Sequence, residues 1–269
     1  MVTTKLCGGI GNQMFQIATV YAYAKRHGFE YGFNFDACYT PNQGNASSKY
    51  KDSFFKDINR LDNTRFNMEY REPSFSFNEI PKNDNIVLDG YFQSDKYFKN
   101  YKDGLIKLFN PYNPKFIRFK HTAVTFLYNF IVDKKLNYSD LVAVHVRRGD
   151  YLKNSDFHTN LTTTNYYKEA MDIFENKYFI FVSDDIDWCK ETFKGDNITY
   201  STLTEEIEDL LLISYCGSQI IANSSFSWWG AYLRKNELAE SKVIAPKQWF
   251  GPRGPKDTQD IIPENWIKI

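Results

Sequence analysis

Residues 141–151 read LVAVHVRRGDY, and this stretch is the strongest indicator of the fold class. Its first six residues form an apolar run rich in valine, which is typical of a strand buried on both faces of a parallel sheet. A histidine and two arginines lie where the run ends, and open parallel sheets bind their ligands just beyond the carboxyl ends of their strands. The stretch therefore predicts an α/β fold with a binding site at the end of this strand.

Strands and helices alternate along the rest of the chain, which favours parallel sheets of the α/β class. One βα series opens the chain and a second begins at Leu141, so we expect two Rossmann-like domains, residues 1–138 and 139–269. The other predicted strands are 2–7, 29–35, 86–88, 178–182, 219–222 and 243–245; the predicted helices are 12–27, 94–109, 121–136, 165–176, one from 186, 205–216 with Thr204 as N-cap, and 226–234. Residues 41–81 are left unassigned.

Composition limits the classes of partner. Lysine plus arginine (33) balances aspartate plus glutamate (33), so no global field attracts nucleic acid or anionic lipid, and an anion must be bound by a local cluster. The chain shows neither a signal-peptide core nor an apolar run of the ~20 residues that a membrane span needs. Its four cysteines have neither metal spacing nor a dense disulfide pattern, which favours reduced thiols in a cytoplasmic protein. These are Cys7, Cys38, Cys189 and Cys216.

Arg147 and Arg148 are candidates for binding a diphosphate, because guanidinium groups match phosphate oxygens bidentately. The alternative is that they are surface or ion-pair residues, one of them bridged to Asp150. Arg148-Gly149-Asp150 is also a cell-adhesion tripeptide, but it continues a buried strand rather than topping a loop.

Ser183, Asp184 and Asp185 follow a second apolar strand. They are candidates for contacts with a nucleotide, or one aspartate caps the following helix. Two adjacent carboxylates also suit a magnesium ion.

Asn223, Ser224 and Ser225 precede a predicted helix, where hydroxyls and backbone N–H groups together suit a phosphate. The alternative is an ordinary N-cap. Asp209 lies on the preceding helix; its carboxylate could accept both N1–H and N2–H of guanine, or it is a solvated helix charge.

The segment Gly8–Met14 partly matches a dinucleotide fingerprint, with Asp36 as a possible ribose ligand. The match is weak, because Met14 occupies the third glycine position. The glycine turn could instead present the side-chain amides of Asn12 and Gln13 at a cleft between domains.

Taken together, these segments resemble the α-1,2-fucosyltransferases, glycosyltransferase family 11 in its bacterial form. The resemblance covers nearly the whole chain and departs from the family pattern in small ways, such as Ile10 where leucine is usual. The matching segments are 8–16 (GGIGNQMFQ), 90–94 (GYFQS) with Tyr97 and Phe98, 145–151 (HVRRGDY), 183–185 (SDD) with Trp188 and Cys189, 221–230 (IANSSFSWWG), and 243–246 (VIAP) with Trp249 and Phe250.

The resemblance implies a B-type glycosyltransferase fold, with residues 1–138 on the acceptor side and 139–269 binding GDP-fucose. It implies inverting transfer of L-fucose to the 2-hydroxyl of a galactoside, without a metal. The acceptor would be a surface glycan such as an O-antigen or capsule unit carried on a lipid, and the enzyme cytoplasmic or peripheral at the inner face of the membrane. Arg147 corresponds to the arginine that holds the β-phosphate, and Asn12 to an asparagine that faces the donor sugar. The expected donor-binding residues are His145, Arg148, Asp150, Tyr151, Ser183, Asp184, Asp185, Asp209, Asn223, Ser224, Ser225, Gly9, Gly11 and Gln13.

Two parts of the chemistry stay open at this stage. Asp36, Asp89 and Asp150 are candidates for a general base, and a weak acceptor such as Asn12 or a water would serve a dissociative path. Tyr91, Phe92 and Trp249 could stack on a galactose ring or belong to the core. Alternative functions are a fucosyltransferase of another linkage, a nicotinamide-dependent oxidoreductase, and a non-catalytic carbohydrate- or integrin-binding protein.

Overall fold

The chain folds into two compact α/β units. A computed structural model describes residues 1–37, 44–62, 64–109, 117–234 and 240–269, with the backbone alone for 117–120. One unit comprises Met1–Pro111 and Lys256–Pro263, and the other Tyr112–Pro255 and Glu264–Ile269. Both are built on parallel sheets, as the sequence predicts.

The first unit has a three-stranded parallel sheet in the order β1-β3-β2. Helix α1 follows the first strand after the glycine turn. Its C-cap is Gly28, which adopts the left-handed conformation that is common at this position, with a φ of 72°. The elements are β1 (Val2–Thr4), α1 (Ile10–His27), β2 (Met68–Arg71), β3 (Ile86–Asp89) and α2 (Lys102–Leu108). The predicted helix 94–109 is helical only in its second half, because two 3₁₀ turns precede α2.

The predicted strand 29–35 is wrong. Tyr31 pairs with Val2 and Phe33 pairs with Arg60, each as a single bridge. The predicted alternation holds only in part, because Phe33 and Phe35 are buried whereas Phe29 and Tyr31 are half-buried. A ladder fails to form because the segment moves from one partner to the other after two residues.

The second unit has a six-stranded parallel sheet in the order β6-β5-β4-β7-β8-β9. Strand β4 lies inside it and every residue of β4 is buried, as its apolar sequence predicts. The strands are β4 (Leu141–Val146), β5 (Tyr178–Ser183), β6 (Ile198–Tyr200), β7 (Ser218–Ile220), β8 (Val243–Ala245) and β9 (Ile267–Lys268). The helices are α3 (Ile117–Lys134), α4 (Gly149–Lys153), α5 (Tyr166–Asp172), α6 (Ile186–Thr192), α7 (Glu206–Tyr215) and α8 (Ser225–Tyr232).

The division between the units differs from the predicted boundary at 138. Helix α3 packs against α7 and so belongs to the second unit. The chain then returns to the first unit for Lys256–Pro263 before β9 joins the second sheet beside β8. Neither β6 nor β9 was predicted, because neither contains a fully buried residue and so neither has the apolar run that marks the other strands of this sheet.

Three of the four cysteines lie in the described residues and are free thiols: Cys7 is half-buried, while Cys189 and Cys216 are buried. Cys38 lies outside the described residues. None of the helices in the described residues has both the length and the hydropathy of a membrane-spanning helix.

Candidate functional site

The carboxyl ends of β4 and β5 bring the two charged motifs of the second unit together. The strands are parallel neighbours, with Val146 opposite Ser183. Arg147 and Asp184 therefore leave the same edge of the sheet side by side. This is the edge at which parallel sheets bind ligands.

Arg147 is held by two carboxylates. Its Nη2 contacts Oδ1 of Asp150 at 2.6 Å and its Nη1 contacts Oδ2 of Asp184 at 3.1 Å. The guanidinium carbon lies 5.6 Å from the ring centroid of Tyr151. The arginine is thus fixed in place while about a third of its side chain stays exposed to a ligand.

Arg148 has different surroundings. Its Nε contacts Asp185 at 2.8 Å, and its guanidinium lies 4.0 Å from the ring centroid of Trp188. Its backbone N–H donates to Asp184 at 2.9 Å. These contacts are the ion-pair alternative that the sequence left open, and they give Arg148 a role in holding the loop after β4.

The local charge of this cluster is not positive. Among the described residues, the two arginines face three carboxylates, those of Asp150, Asp184 and Asp185. A phosphate bound at Arg147 would therefore compete with these carboxylates for the guanidinium N–H groups. Asp150 is the easier to displace, because its side chain is 63% exposed and that of Asp184 is 25% exposed.

Asp185 also caps helix α6, where its side chain accepts from the Trp188 N–H. Ser183 accepts from the Asp185 N–H at 3.0 Å. The arginine at 148 lowers the pKa of the Asp185 carboxyl through their hydrogen bond. Capping, the second sequence interpretation of this motif, accounts for Ser183 and Asp185 in this structure.

Gly149 has no side chain and so leaves space for the Asp184 carboxylate. A Cβ at this position would lie 2.6 Å from Oδ2 of Asp184, the oxygen that contacts Arg147. Any side chain would push this carboxylate out of place. The glycine therefore favours the observed contact of Asp184 with Arg147 through a close approach rather than through an unusual φ.

His145 and Tyr151 are buried polar supports of the site. Nδ1 of His145 is hydrogen-bonded to the Ser227 hydroxyl at 2.8 Å, and burial lowers the pKa of the ring to about 3, so His145 is neutral. The Tyr151 hydroxyl donates to the Asn223 carbonyl at 2.9 Å, and its ring stacks on His158 at 4.0 Å. Sequence analysis missed Ser227 and His158.

The turn before α8 contains both fixed and available groups. The Asn223 amide donates to the carbonyls of Thr159 and Trp249, which ties three loops together. Ser224 is the N-cap of α8 and accepts from the Phe226 N–H. Ser225 is half-buried at the first position of this eight-residue helix.

Asp209 lies on the first turns of α7. The Ser201 hydroxyl donates to its Oδ1 at 2.6 Å. Burial raises the pKa of the Asp209 carboxyl to about 7, and the neighbouring Glu208 adds to the rise while Ser201 lowers it. Helix α7 is capped by Glu205 in a capping box with Glu208, and not by Thr204 as predicted.

In the first unit, the glycine turn presents side-chain amides at the N-terminus of α1. Oδ1 of Asn12 accepts from Nε2 of Gln93 at 2.8 Å. Gln13 donates to the carbonyls of Gly8 and Asn45 and holds the turn closed. Gly11 is buried, whereas a Cβ on Gly9 would meet nothing within 4 Å.

Glu72 is a carboxylate that sequence analysis missed, because it lies in the unassigned stretch 41–81. It follows β2, and its Oε2 accepts from the backbone N–H groups of Tyr91 and Phe92 at 2.8 and 2.9 Å. Burial raises its pKa to about 7. Phe92 is fully buried with φ 52°, so this carboxylate stabilises a left-handed turn that a bulky residue rarely adopts.

The other candidates from the sequence are distributed as follows. Asp36 is 70% exposed and paired with Lys51, and Asp89 is paired with Lys5 and Arg71. Phe92 and Trp249 belong to the buried cores, while Tyr91 is half-buried. In the described part of the chain, no group of three or more His, Cys, Asp or Glu side chains is arranged to hold a metal ion.

Comparison with known proteins gives a family match over residues 1–269, to glycosyl transferase family 11. An alpha-1,2-colitosyltransferase of Escherichia coli is 31% identical, over 100% of this chain and 99% of that protein. The O-antigen biosynthesis glycosyltransferase WbnK of Escherichia coli is 28% identical, over 98% of this chain and 99% of that protein.

Other similarities are weaker, either in the share of the chain that they cover or in the agreement between the structures. Galactoside alpha-(1,2)-fucosyltransferase 1 of Bos taurus is 34% identical over 46% of this chain and 41% of its own length. Among solved structures, the fucosyltransferase NodZ from Bradyrhizobium aligns with a TM-score of 0.47 and 12% identity, over 86% of this chain and 91% of that chain.

Proposed function

The chain belongs to glycosyl transferase family 11, and on that premise we propose that it moves L-fucose from GDP-fucose to the 2-hydroxyl of a terminal galactoside, with inversion and without a metal. The observation that carries the proposal is Arg147, a partly exposed guanidinium fixed at the end of the central strand β4 by Asp150 and Asp184. Two relatives named for α-1,2 transfer support the linkage.

The mechanism follows from the chemistry of the leaving group. As GDP departs, negative charge builds on the β-phosphate oxygen and the fucosyl ring takes on oxocarbenium character. A guanidinium that is already in place stabilises this charge more in the transition state than in the ground state. Phosphate oxygens would replace Asp150 on Arg147, while Asp184 keeps the guanidinium oriented.

The nucleotide would extend from this arginine over the second unit. Ser225 and the first N–H groups of α8 supply donors for a phosphate, and the Asp209 carboxylate supplies two acceptors for guanine. His145, Tyr151 and Asn223 would act by fixing the loops that carry these groups. Arg148 and Asp185 would likewise act by fixing a loop rather than by contacting the nucleotide.

The first unit would hold the acceptor, and Asn12 and the glycine turn would supply polar contacts to a sugar. We place the enzyme in the cytoplasm or at the inner face of the membrane, building an O-antigen or capsule unit. The relative named for O-antigen biosynthesis supports this place.

A second candidate is transfer of colitose, which is L-fucose without its 3-hydroxyl. The observation that favours it is the full-length similarity to an α-1,2-colitosyltransferase. A site that hydrogen-bonds the 3-hydroxyl would reject colitose strongly, because its polar groups would be left unpaired. Comparing the transfer rates of the two GDP-sugars decides between the candidates.

The first experiment is calorimetric titration of the purified protein with GDP, with ADP as control and a chelator present. We expect micromolar binding of GDP that ADP does not reproduce, followed by release of GDP from GDP-fucose when a galactoside is added. Equal binding of ADP, or none of GDP, would overturn the donor assignment. A requirement for added Mg²⁺ would overturn the metal-free part alone.

A further inference from the structure

The amides of Asn12 and Gln93 form a partly buried pair at the N-terminus of α1. Nε2 of Gln93 donates to Oδ1 of Asn12 at 2.8 Å, and Gln93 is only 7% exposed. Among the described residues, the Asn12 side chain makes no other hydrogen bond. Its oxygen therefore already accepts one hydrogen bond and is oriented toward Gln93, while its two amide N–H groups are left to donate to something else.

The direction of this hydrogen bond follows from the cost of the alternative. Oε1 of Gln93 is buried with no partner in the described residues. If both amides were reversed, the buried unpartnered group of Gln93 would be an NH₂ with two donors. Orphaned N–H groups are rarer in proteins than carbonyl oxygens that lack a partner, so the observed direction is the favourable one.

The glycine turn makes room for the amide nitrogen of Asn12. A Cβ on Gly8 would lie 2.3 Å from this nitrogen, and Gly8 has a φ of 72° that favours glycine. Gln93 itself follows the turn at Phe92, whose backbone N–H is held by Glu72. Both partners of the pair are thus supported by the backbone around them.

We propose that Gln93 is a positioning residue that sets the polarity of Asn12, so that Asn12 donates an N–H to an oxygen of the sugar donor or acceptor. The inference rests on the proposed transferase function and deepens it. It makes Asn12 a poorer weak proton acceptor for the attacking hydroxyl, because Gln93 already uses one of the two lone pairs of its carbonyl oxygen.

The substitution Gln93→Glu tests the polarity directly. When protonated, the glutamic acid still donates to Oδ1 of Asn12. When ionised it can only accept, so it draws the Asn12 amide toward itself and turns the Asn12 oxygen to the ligand. We expect kcat of this variant, relative to wild type, to fall ~10-fold or more as pH rises through the titration of the buried carboxyl.

The matched control is Gln93→Met, which is close in shape and removes the hydrogen bond without reversing it. Its loss of kcat should be smaller than that of ionised Q93E and independent of pH. Asn12→Asp, which presents only acceptors, should resemble ionised Q93E at every pH at which it is ionised. Thermal unfolding of each variant identifies any that fails to fold.

A second measurement does not depend on turnover. The side-chain amide NMR signals of Asn12, identified by their absence in N12D, should shift with pH in Q93E and stay constant in Q93M. Identical pH profiles for folded Q93E and Q93M, with unshifted amide signals, would overturn the role of Gln93. Failure of the wild type to bind GDP or transfer fucose would instead overturn the proposed function.

Discussion

Arg147 and Arg148 are adjacent in the sequence, but replacing each by alanine should have different effects. Arg147→Ala removes the proposed charge-assisted contact with the β-phosphate, worth about 1.5–3 kcal/mol or more in a dry site, and we expect it to abolish useful turnover with the fold intact. Arg148→Ala removes the contacts with Asp185 and Trp188, so we expect lower thermal stability first. Parallel measurement of kcat and unfolding midpoint separates them.

The contrary outcome is equally informative. Equal losses of turnover from both variants, with unchanged unfolding, would restore the original interpretation of the two arginines as a phosphate-binding pair.

Asp209 should make binding of GDP depend on pH near neutrality. Its pKa is raised to about 7 in the free protein, and two guanine N–H donors require the ionised carboxylate. We expect GDP affinity to fall by up to about tenfold for each pH unit below 7, because protonation then competes with binding. Above pH 7 the affinity should level off.

Asp209→Asn is the control for this dependence, because asparagine keeps an acceptor for the Ser201 hydroxyl but cannot ionise. Its GDP affinity should be weaker and flat between pH 5.5 and 8, with less preference for GDP over ADP. A pH step that persists in D209N would assign the titration to another group.

At the level of single residues, the sequence predicts which groups carry chemistry but not which partners they have. The motif 145–151 identifies two arginines at a strand end. It does not reveal that Asp150 and Asp184 meet Arg147 while Asp185 meets Arg148, because those contacts depend on the register of β4 against β5. Glu72 could not be found at all, since its importance comes from two backbone N–H groups distant in sequence.

Two glycines at strand-to-helix turns should respond differently to a methyl group. Gly149→Ala would place its Cβ 2.6 Å from the Asp184 carboxylate, so we expect a loss of stability and of turnover. Gly9→Ala meets nothing within 4 Å and has a φ of −71°, so we expect at most a small fall of the unfolding midpoint, because alanine is the poorer N-cap but restricts the unfolded chain.

The Gly9 variant thereby tests the predicted role of this glycine in binding the ligand. A loss of activity with unchanged stability would support close approach of a ligand to the Gly9 backbone. Full activity would remove Gly9 from the binding residues.

The turn held by Glu72 should make the stability of the first unit depend on pH. Its pKa of about 7 lies above the ordinary value of about 4.3, so the folded state binds the proton more tightly than the unfolded state. The free energy of unfolding should therefore decrease as pH rises from about 4 to 7 and level off above 7. Glu72→Gln, which keeps an acceptor for both N–H groups, should show a shallower decrease in thermal scans.

At the level of elements, the hydrophobic pattern of the sequence predicts those strands that have a continuous apolar run. Strand β4 was predicted to the residue, because six apolar residues in a row suit a strand buried on both faces. The segment 29–35 has the alternation of a strand but lacks a continuous partner. The cap of α7 was misplaced because Glu205 and Glu208 form a reciprocal capping box that outcompetes Thr204.

At the level of the whole chain, the predicted boundary at 138 differs from the division between the units because a sequence pattern does not show which helices pack together. The βα series does restart at Leu141, but α3 packs on α7 and so joins the second unit before that strand begins. The return of Lys256–Pro263 to the first unit has no periodic signal, since it forms neither helix nor strand. Domain membership here is decided by tertiary packing.

This connectivity predicts that the last residues of the chain support both units. Removing residues 256–269 deletes Asp260, which pairs with Lys96 in the first unit, and Trp266, whose ring lies 5.4 Å from that of Trp228 on α8. We expect the truncated chain to unfold at a markedly lower temperature and to bind GDP weakly, because α8 carries the proposed phosphate donors.

Trp266→Ala isolates the second effect. Trp266 is only 7% exposed, and replacing a buried tryptophan by alanine costs about 3–5 kcal/mol. Its loss should weaken GDP binding through α8 while leaving Asp260 and its contact with Lys96 in place. If W266A lowered stability as expected but bound GDP like the wild type, the C-terminal segment would support the fold alone, and the N-terminus of α8 would have to be removed from the proposed phosphate site.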